Sequence, residues 1–516
     1  MAAIRRSPQT ECDPLAPRRS KTMSKSPDFQ FELMRPELWD GKMYVGSWIA
    51  AKSSIPISDK ATGETIGTMA DASADEMAAA CNQAKAIAPS WAAVAPSERA
   101  IILRRAAELL VKYREEAVYW LVREAGSSRY KSNFEIDVTR DYFVHAADLL
   151  SEPWSTVVKD DAETLSYYER RPLGVVGVIG PFNWPLVLAL RAVAPALAGG
   201  NTVVLKPSSI TPVSGGLLLA RILEEAGLPA GVFSVVTARG GVGGALVRDP
   251  NIAMIGFTGS TAVGRDIGGA AGGELKRFSL ELGGKNPFVV LADADIELAA
   301  RASAFASFLH QGQICVAVGL HIVHESVAVA YSTRLAELAR EMTIGDPWKE
   351  TVQLGPIISE HERDRIHQLV QDAVAEGGKV LEGGTFEGPF YRPTVVTNLT
   401  PTSRLVTDEV FGPIAPIITF RDDAEGVRLA NASKYGLAAS VFGELNHARE
   451  VAKGVESGMV HLNDQTMKID VNAPFGGVKQ SGNASRIGTA TDLDEFTTFR
   501  WMTEMKVIPS YTMPTE

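Results

Sequence analysis

Short runs of β-branched residues alternate with helical stretches along most of the chain, and this alternation constrains the fold more than any other feature. The first set of runs, after Pro172, lies at 174–179, 202–205, 232–236, 252–257 and 287–291. A second set lies at 321–323, 417–420, 440–442 and 459–462. Such alternation is typical of βαβ units, whose parallel sheets bind ligands beyond the carboxyl ends of their strands. We therefore predict an α/β protein with two open-sheet domains.

Two other regions differ from this pattern. Residues 73–150 return apolar side chains every three or four positions, most clearly over 98–122, which predicts helices. Residues 164–171 read as an exposed strand with polar alternation. An exposed strand needs a partner for its edge, so we expect this segment to serve subunit pairing.

Charge and cysteine content exclude several classes of protein. Among 516 residues, 51 Lys and Arg face 61 Asp and Glu, a net charge of −10 that repels nucleic acid. The three cysteines, Cys12, Cys81 and Cys315, are too few and too scattered for a disulfide framework or a CxxC metal site. We expect no metal, no nucleic-acid partner and a reducing, cytoplasmic location.

Membrane insertion and export are not expected either. The longest apolar region, 173–205, is interrupted by Asn183, Arg191 and three prolines, whereas a spanning helix needs about 20 uninterrupted apolar residues. The twin arginines Arg5 and Arg6 lack the following apolar stretch of about 7–15 residues that an export signal requires. The sequence predicts no membrane partner.

Three residues have side chains suited to covalent acyl chemistry. Cys315 follows Gly-Gln-Ile and offers a thiolate nucleophile, Glu281 offers a carboxylate that could activate water, and Asn183 offers a carboxamide donor for an oxyanion. Each also has a structural interpretation. These are a buried thiol, a solvated charge that ends a strand, and a helix N-cap before Pro185.

The same residues stand in seven motifs whose combination is specific. The motifs are PFNWP at 181–185, KPS at 206–208, FTGST at 257–261, ELGGK at 281–285, GQIC at 312–315, EVFGP at 409–413 and PFGG at 474–477. With them, the sequence resembles the NAD(P)-dependent aldehyde dehydrogenases over about residues 30–505. Glu281 and Cys315 lie 34 positions apart, which is the separation expected for that family.

The resemblance implies a mechanism for these residues. Cys315 would attack the aldehyde carbonyl, and the Asn183 amide and the Cys315 backbone N–H would hold the oxyanion of the thiohemiacetal. After hydride transfer, water deprotonated by Glu281 would hydrolyse the thioester, and Glu281 could also take the thiol proton at the start. Lys285 is the family's helper in positioning or proton relay, although the sequence alone predicts an exposed lysine there.

Cofactor binding does not follow the common dinucleotide fingerprint. The glycine-rich stretch 239–246 has Leu246 where the third glycine should fall, so that motif fails. The resemblance instead places the pyrophosphate near Ser260 and the indole N–H of Trp184.

The same resemblance assigns the rest of the cofactor. Gly259 would lie close to the nicotinamide, Glu409 on its ribose, Phe411 beside it, and Lys206 on the adenosine ribose. Members that prefer NAD usually carry a glutamate three residues after this lysine, where this chain has Ser209. Without that carboxylate a 2′-phosphate is not repelled, so NADP should be tolerated and the cofactor is NAD or NADP.

The resemblance also divides the chain into domains. Independently of it, residues 1–28 predict a disordered tail, because basic residues stand there among Ser, Pro and Thr with almost no apolar periodicity. We expect a cofactor-binding domain from 29–150 and 173–283, and a catalytic domain over 284–484. Residues 151–172 and 485–516 would form a small β extension for oligomerisation, in a homodimer or homotetramer.

Segments 188–195, 482–488 and 492–497 resemble the benzaldehyde and vanillin dehydrogenase branch, which suggests an aromatic aldehyde. Trp184, Val187 and Leu188 could form the wall of an apolar pocket, and Arg191, one turn on, could contact a ring substituent or pair with a carboxylate.

His310 is interpreted as structural. Alternatives are an aliphatic aldehyde or semialdehyde with the same mechanism, or a silent relative with a structural or binding role. Coenzyme A-acylating relatives lack the base that Glu281 provides, and a cysteine hydrolase would need a histidine partner that the sequence does not single out.

Overall fold

The structure is a computed structural model that describes residues 29–489, 491–511 and 513. The predicted disordered tail at 1–28 lies outside the described residues. Within them, two seven-stranded sheets form the two α/β layers of the fold, and the predicted α/β class is confirmed.

The first sheet is parallel at its centre and antiparallel at one edge. Its strands, in spatial order, are Arg277–Glu281, Ile252–Thr258, Val175–Ile179, Thr202–Lys206, Phe233–Val235, Lys42–Val45 and Trp48–Ala50. The first five run parallel to one another, and each of the last two pairs antiparallel with the strand before it. The Thr202–Lys206 strand is buried along its whole length, as expected for a parallel strand covered on both faces.

The second sheet is also mostly parallel. Its strands, in spatial order, are Lys379–Glu382, Thr394–Thr397, Ile414–Phe420, Leu320–His324, Pro287–Val290, Ala438–Phe442 and Met459–Leu462. Only its first strand pairs antiparallel. All nine predicted runs fall on strands of these two sheets.

A third sheet joins distant parts of the chain. It consists of Thr497–Met505, Thr164–Pro172 and Ser155–Asp160. The pairing is antiparallel, and Thr497 to Met505 align with Pro172 to Thr164 without a break. The predicted strand at 164–171 is therefore present, but it is the central strand of this sheet and mostly half-buried. Both of its edges are paired within the chain, so the expectation that this strand itself pairs subunits is wrong.

The remaining described strands form three two-stranded sheets: Ser54–Ser58 with Thr65–Ala70, Phe386–Glu387 with Phe390–Tyr391, and Tyr435–Gly436 with Val478–Lys479. The domain boundaries stay a prediction.

Helices cover the sheets. They are Pro36–Trp39, Ala74–Ala92, Pro96–Lys112, Arg114–Ala125, Arg129–Asp148, Pro185–Ala198, Leu218–Glu225, Val242–Arg248, Thr261–Gly273, Ile296–Phe308, Ala328–Glu341, Glu360–Ala375, Arg404–Thr407, Asp423–Asn431, Leu445–Ala452 and Asp492–Phe496, with short 3₁₀ turns at Leu149–Ser151 and Leu309–Gly312 and a π turn at Val213–Leu217. No helix among the described residues is long and apolar enough to cross a membrane.

The helix Pro185–Ala198 is the most deeply buried of those that reach the site. All of its residues are buried, Arg191 included. It begins with a proline, which needs no backbone N–H partner in a first turn. It packs against the helix Arg129–Asp148. The predicted helical region at 98–122 is two helices, because the chain turns at Tyr113.

Candidate active site

The site lies where several parallel strands of the first sheet end at the same edge. The strand Val175–Ile179 leads into the loop that carries Asn183, and the strand Arg277–Glu281 ends on Glu281 itself. Gly259, just beyond the neighbouring strand, donates its N–H to the backbone oxygen of Glu281 at 3.0 Å. The topology therefore gathers residues that are about 100 positions apart in the sequence, at the edge where parallel sheets bind ligands.

A tight turn of left-handed residues delivers Cys315 to this edge. His310, Gln311 and Gly312 have φ values of 51°, 56° and 66°. At Gly312 a Cβ atom would lie 2.2 Å from the backbone oxygen of Gly412, so only glycine fits there. The Gln311 Nε2 donates to the backbone oxygens of Gly126 (3.0 Å) and Pro356 (2.6 Å). The turn is thus tied to other parts of the chain, and the position of Cys315 is fixed.

Cys315 and Asn183 line two neighbouring cavities. The first, which we call the polar cleft, measures about 290 Å³ and includes Glu281 and Glu409 in its wall. The second, which we call the apolar cavity, measures about 30 Å³ and is lined by residues such as Val187 and Phe475. The nucleophile candidate thus faces a polar space on one side and a narrow apolar space on the other.

The side chain of Asn183 points to the cysteine loop. Its Nδ2 donates to the backbone oxygen of Gln313 at 2.8 Å, and the residue is 3 % exposed. A carboxamide carries two N–H donors, so one remains for another acceptor. The N-cap interpretation of Asn183 is wrong, because the cap position of the following helix is Trp184 and has no side-chain cap bond.

Glu281 is buried and carries no compensating bond. The residue is 4 % exposed, and neither carboxylate oxygen has a hydrogen-bond partner within the described part of the chain. Burial raises its pKa to about 8, while the charges of Arg191 and Arg486 act in the opposite direction. The interpretation as a solvated charge is therefore wrong, although the residue does end a strand.

The thiol of Cys315 is held in its neutral form. Burial raises its pKa to about 12, opposed chiefly by the charge of Arg191. At neutral pH such a thiol attacks a carbonyl only if a base removes its proton. Glu281 lines the same polar cleft and has free oxygens.

Arg191 is a buried cation in the wall of the apolar cavity. Its guanidinium carbon lies 3.9 Å from the ring centroid of Phe475, and the residue is 5 % exposed. Across the described residues its Nε and Nη2 have no hydrogen-bond partner, carboxylates included. The alternative in which Arg191 pairs with a carboxylate is therefore not observed.

Four residues predicted to bind the cofactor share the polar cleft with Cys315: Gly259, Ser260, Glu409 and Phe411. Ser260 caps the helix Thr261–Gly273 through the N–H of Val263. Glu409 Oε1 accepts the N–H of Gly284 at 3.1 Å. A helix N-terminus favours phosphate, and a carboxylate accepts ribose hydroxyls. This part of the cleft therefore has the donors and acceptors that NAD(P) requires.

The structure does not bring Trp184 together with those residues. Its ring lies in the wall of the apolar cavity, packed edge-on against Phe134 at 5.7 Å. Phe182, two residues earlier, lines the polar cleft instead and packs against Phe411 at 5.8 Å. Alternate residues of this loop thus face opposite sides, and the expected indole contact to a pyrophosphate does not fit the geometry.

Lys206 and Ser209 lie outside the polar cleft. Lys206 is buried, its Nζ donates to the Pro207 oxygen at 3.3 Å, and burial lowers its pKa to about 8. Ser209 lines a separate cavity of about 480 Å³ together with Ser359 and Glu360. Their roles toward an adenosine ribose stay a prediction.

Sequence reasoning missed two residues of the polar cleft and misjudged the exposure of Lys285. Glu362 and Arg365 line the cleft, and Arg365 donates to Glu362 Oε2 at 2.8 Å. No motif marks them, since they stand on an ordinary amphipathic helix. The prediction that Lys285 is exposed is wrong: it is fully buried and donates to the backbone oxygens of Leu405 (2.7 Å) and Asp408 (2.6 Å). This holds the backbone that leads into Glu409.

Comparison with known proteins agrees with this geometry. Residues 48–502 match the aldehyde dehydrogenase family. A vanillin dehydrogenase of an Amycolatopsis species is 45% identical over 483 residues, covering 92% of this chain and 98% of the relative. A benzaldehyde dehydrogenase [NAD(+)] of Pseudomonas putida is 41% identical over 93% of this chain and 99% of the relative.

Among solved structures, a salicylaldehyde dehydrogenase from Pseudomonas putida G7, complexed with salicylaldehyde, superposes with a TM-score of 0.88 at 34% identity. The match covers 92% of this chain and 99% of that one. The chain therefore belongs to the aldehyde dehydrogenase family and is an NAD(P)-dependent oxidoreductase that acts on aldehydes.

Proposed function

We propose that this enzyme oxidises an aromatic aldehyde to its carboxylic acid, with Cys315 as nucleophile, Asn183 as oxyanion donor and Glu281 as base. The observation that carries the proposal is that Cys315 and Asn183 stand at the junction of the polar cleft and the apolar cavity. A substrate ring in the apolar cavity would place its aldehyde group beside the thiol.

The first half-reaction begins with proton removal. Glu281 takes the proton of the neutral thiol as the sulfur attacks the carbonyl carbon. The free N–H of the Asn183 amide and the backbone N–H of Cys315 receive the negative charge that develops on the oxygen. When bound, NAD(P)+ supplies the hydride acceptor, and the product on the enzyme is a thioester of Cys315.

The second half-reaction releases the acid. Once the proton taken from the thiol has passed from Glu281 to solvent, Glu281 removes a proton from water as the water attacks the thioester carbonyl. The thiolate of Cys315 leaves, takes up the proton held by Glu281, and the carboxylic acid is freed. Because no hydrogen bond within the described residues ties down the Glu281 carboxylate, it can serve both steps.

The substrate class follows from the apolar cavity and from the names of the relatives, which include vanillin, benzaldehyde and salicylaldehyde dehydrogenases. Phe475, Tyr142 and Val187 give the cavity aromatic and aliphatic walls. Since its volume is only about 30 Å³, a ring enters by displacing side chains. Met467 also lines the cavity, and its unbranched, flexible side chain can change conformation to make room for the ring. Arg191 offers free N–H donors to an oxygen substituent on the ring.

Each of the three larger sheets has a separate proposed role. We assign the cofactor to the first sheet, the nucleophile to the second, and subunit pairing to the third, whose edge strand Ser155–Asp160 is exposed throughout. Val157, Val158 and Trp501 are exposed apolar residues on that sheet, and such a surface favours a homodimer or homotetramer. We place the enzyme in the cytoplasm because its cysteines are few and scattered.

Reduced-cofactor absorbance tests this function. A panel of benzaldehydes and aliphatic aldehydes is offered with NAD and with NADP, and we expect turnover to favour the aromatic aldehydes. The Cys315→Ala variant should bind cofactor, measured by fluorescence titration, but form no reduced cofactor, since no tetrahedral carbon can form. Turnover by the alanine variant would overturn the assignment of the nucleophile, and equal use of aliphatic aldehydes would overturn the substrate class.

A further inference from the structure

A buried ion pair on the helix Arg129–Asp148 contacts the backbone of the loop that carries Asn183. Lys131 and Glu135 lie one turn apart, and both side chains are fully buried. Lys131 Nζ donates to Glu135 Oε2 (2.5 Å), to the backbone oxygen of Asn183 (2.8 Å) and to Ser127 Oγ (3.1 Å). An ammonium group has three N–H donors, so every donor of Lys131 is used.

Glu135 binds the helix that begins just after this loop. Its Oε1 accepts the backbone N–H groups of Leu186 (2.9 Å) and Val187 (3.3 Å). These belong to the first turn of the helix Pro185–Ala198, which has no side-chain cap of its own. A carboxylate from a neighbouring helix thus satisfies N–H groups that would otherwise lack partners, at the end of the helix that favours negative charge.

The pair also contacts a wall of the apolar cavity. Lys131 Nζ lies 4.9 Å from the ring centroid of Trp184, within the range of a cation–π interaction. Together, Lys131 and Glu135 contact residues 183, 184, 186 and 187. Neither of the two is among the described residues that line the polar cleft or the apolar cavity, so they act on the site through the residues that they contact.

Stability alone is a weak reason to bury such a pair. Removing two charges from water costs several kcal/mol per ion, and apolar side chains of similar volume are often as stabilising. What an apolar pair would not provide is the direction of the hydrogen bonds to the backbone. Asn183 is held at two points: its side chain by the Gln313 oxygen and its backbone oxygen by Lys131.

We propose that Lys131 and Glu135 are positioning residues that fix the Asn183 carboxamide where the oxyanion forms. The inference rests on the role proposed above for Asn183. Without Lys131, the Asn183 carbonyl loses its donor and the free amide N–H shifts from the developing charge. Removal of an oxyanion donor costs about 10²–10³ in rate, so a displaced donor should cost at least about 10-fold.

The test uses single turnovers with enzyme in large excess over a benzaldehyde and with saturating cofactor. At saturation, the rate constant for reduced-cofactor formation reports only on folded, competent sites, because misfolded molecules do not contribute to it. We expect Lys131→Met and Glu135→Gln each to lower this rate constant at least about 10-fold. Dissociation constants for cofactor and aldehyde should change less than about threefold.

Glu124→Gln is the matched control. Glu124 is an equally buried carboxylate whose oxygens accept the backbone N–H groups of Val213 (2.9 Å) and Ser214 (2.7 Å) at the start of another helical segment. The Glu124→Gln variant should have a lower melting temperature than the wild type, as Glu135→Gln should, but an unchanged single-turnover rate constant.

Four outcomes are informative. A fall confined to the Lys131 and Glu135 variants supports positioning. Unchanged rate constants in a stable Lys131→Met or Glu135→Gln protein overturn the inference and leave the pair a structural one, and an equal fall in Glu124→Gln does the same. A wild-type enzyme that forms no reduced cofactor with any aldehyde would instead contradict the proposed function itself.

Discussion

The pH dependence of turnover should follow the ionisation of Glu281. Burial raises the pKa of this carboxyl to about 8, and only the unprotonated form can accept a proton from the thiol or from water. With that pKa, about one tenth of the sites carry the base form at pH 7 and about nine tenths at pH 9. The rate should therefore rise about 10-fold over these two pH units.

The direction of this change is fixed by the kind of group. A base with a raised pKa loses activity as the pH falls through that pKa, so the profile should climb with unit slope below about pH 8 and level off above it. Both half-reactions use the same carboxylate, and the sign holds whichever limits turnover. The assay is kcat with saturating aldehyde and cofactor between pH 6 and 9.5, in buffers of constant ionic strength.

Glu281→Gln provides the control, because its carboxamide does not titrate. Because Glu281 is the base in both half-reactions, we expect the variant to lose nearly all reduced-cofactor formation, in the first turnover as well as in the steady state, and to show no remaining step near pH 8. A wild-type profile that is flat between pH 7 and 9 would refute the role of Glu281. The same conclusion would follow if the glutamine variant kept both the wild-type rate and the wild-type profile.

Two further substitutions test specificity. Arg191→Met should lower the ratio of kcat/KM for hydroxylated over unsubstituted benzaldehyde by about 10-fold, since a hydrogen bond to a charged group contributes about 1.5–3 kcal/mol. The same variant should shift the pH profile to higher pH, because the charge of Arg191 lowers the pKa of Glu281. An unchanged ratio would mean that the ring does not reach Arg191. Ser209→Glu should lower NADP use at least about 10-fold, equivalent to about 1.4 kcal/mol, through repulsion of the 2′-phosphate, while NAD use holds or improves. If kcat/KM for the two cofactors keeps its wild-type ratio, Ser209 faces away from the ribose.

The strands could be predicted because a buried parallel strand is a continuous apolar run. The strand Thr202–Lys206 is such a run, and it was predicted to within one residue. The strand Arg277–Glu281 is not among the predicted runs, and only its end at Glu281 was expected, because it lies at the edge of its sheet and only three of its five residues are buried. The sequence of an edge strand need not be uniformly apolar, so its pattern is weak.

The site residues could be named from motifs, but their environment could not. The partners of Lys285 are backbone oxygens about 120 positions away, and no local pattern indicates that two carbonyls will bury a lysine. Trp184 and Phe182 are separated by one residue and face different cavities. Which of them reaches the cofactor side depends on how the loop leaves its strand, and this is a tertiary property.

The third sheet has a consequence for synthesis of the chain on the ribosome. The strand Thr164–Pro172 pairs with Thr497–Met505, so its partner is translated 325 to 341 residues later. Until then, one edge of that strand has no partner, and unpaired edges recruit other chains. During this period the nascent protein aggregates if its unpaired edge binds a neighbouring chain, and it is protected if a chaperone covers that edge.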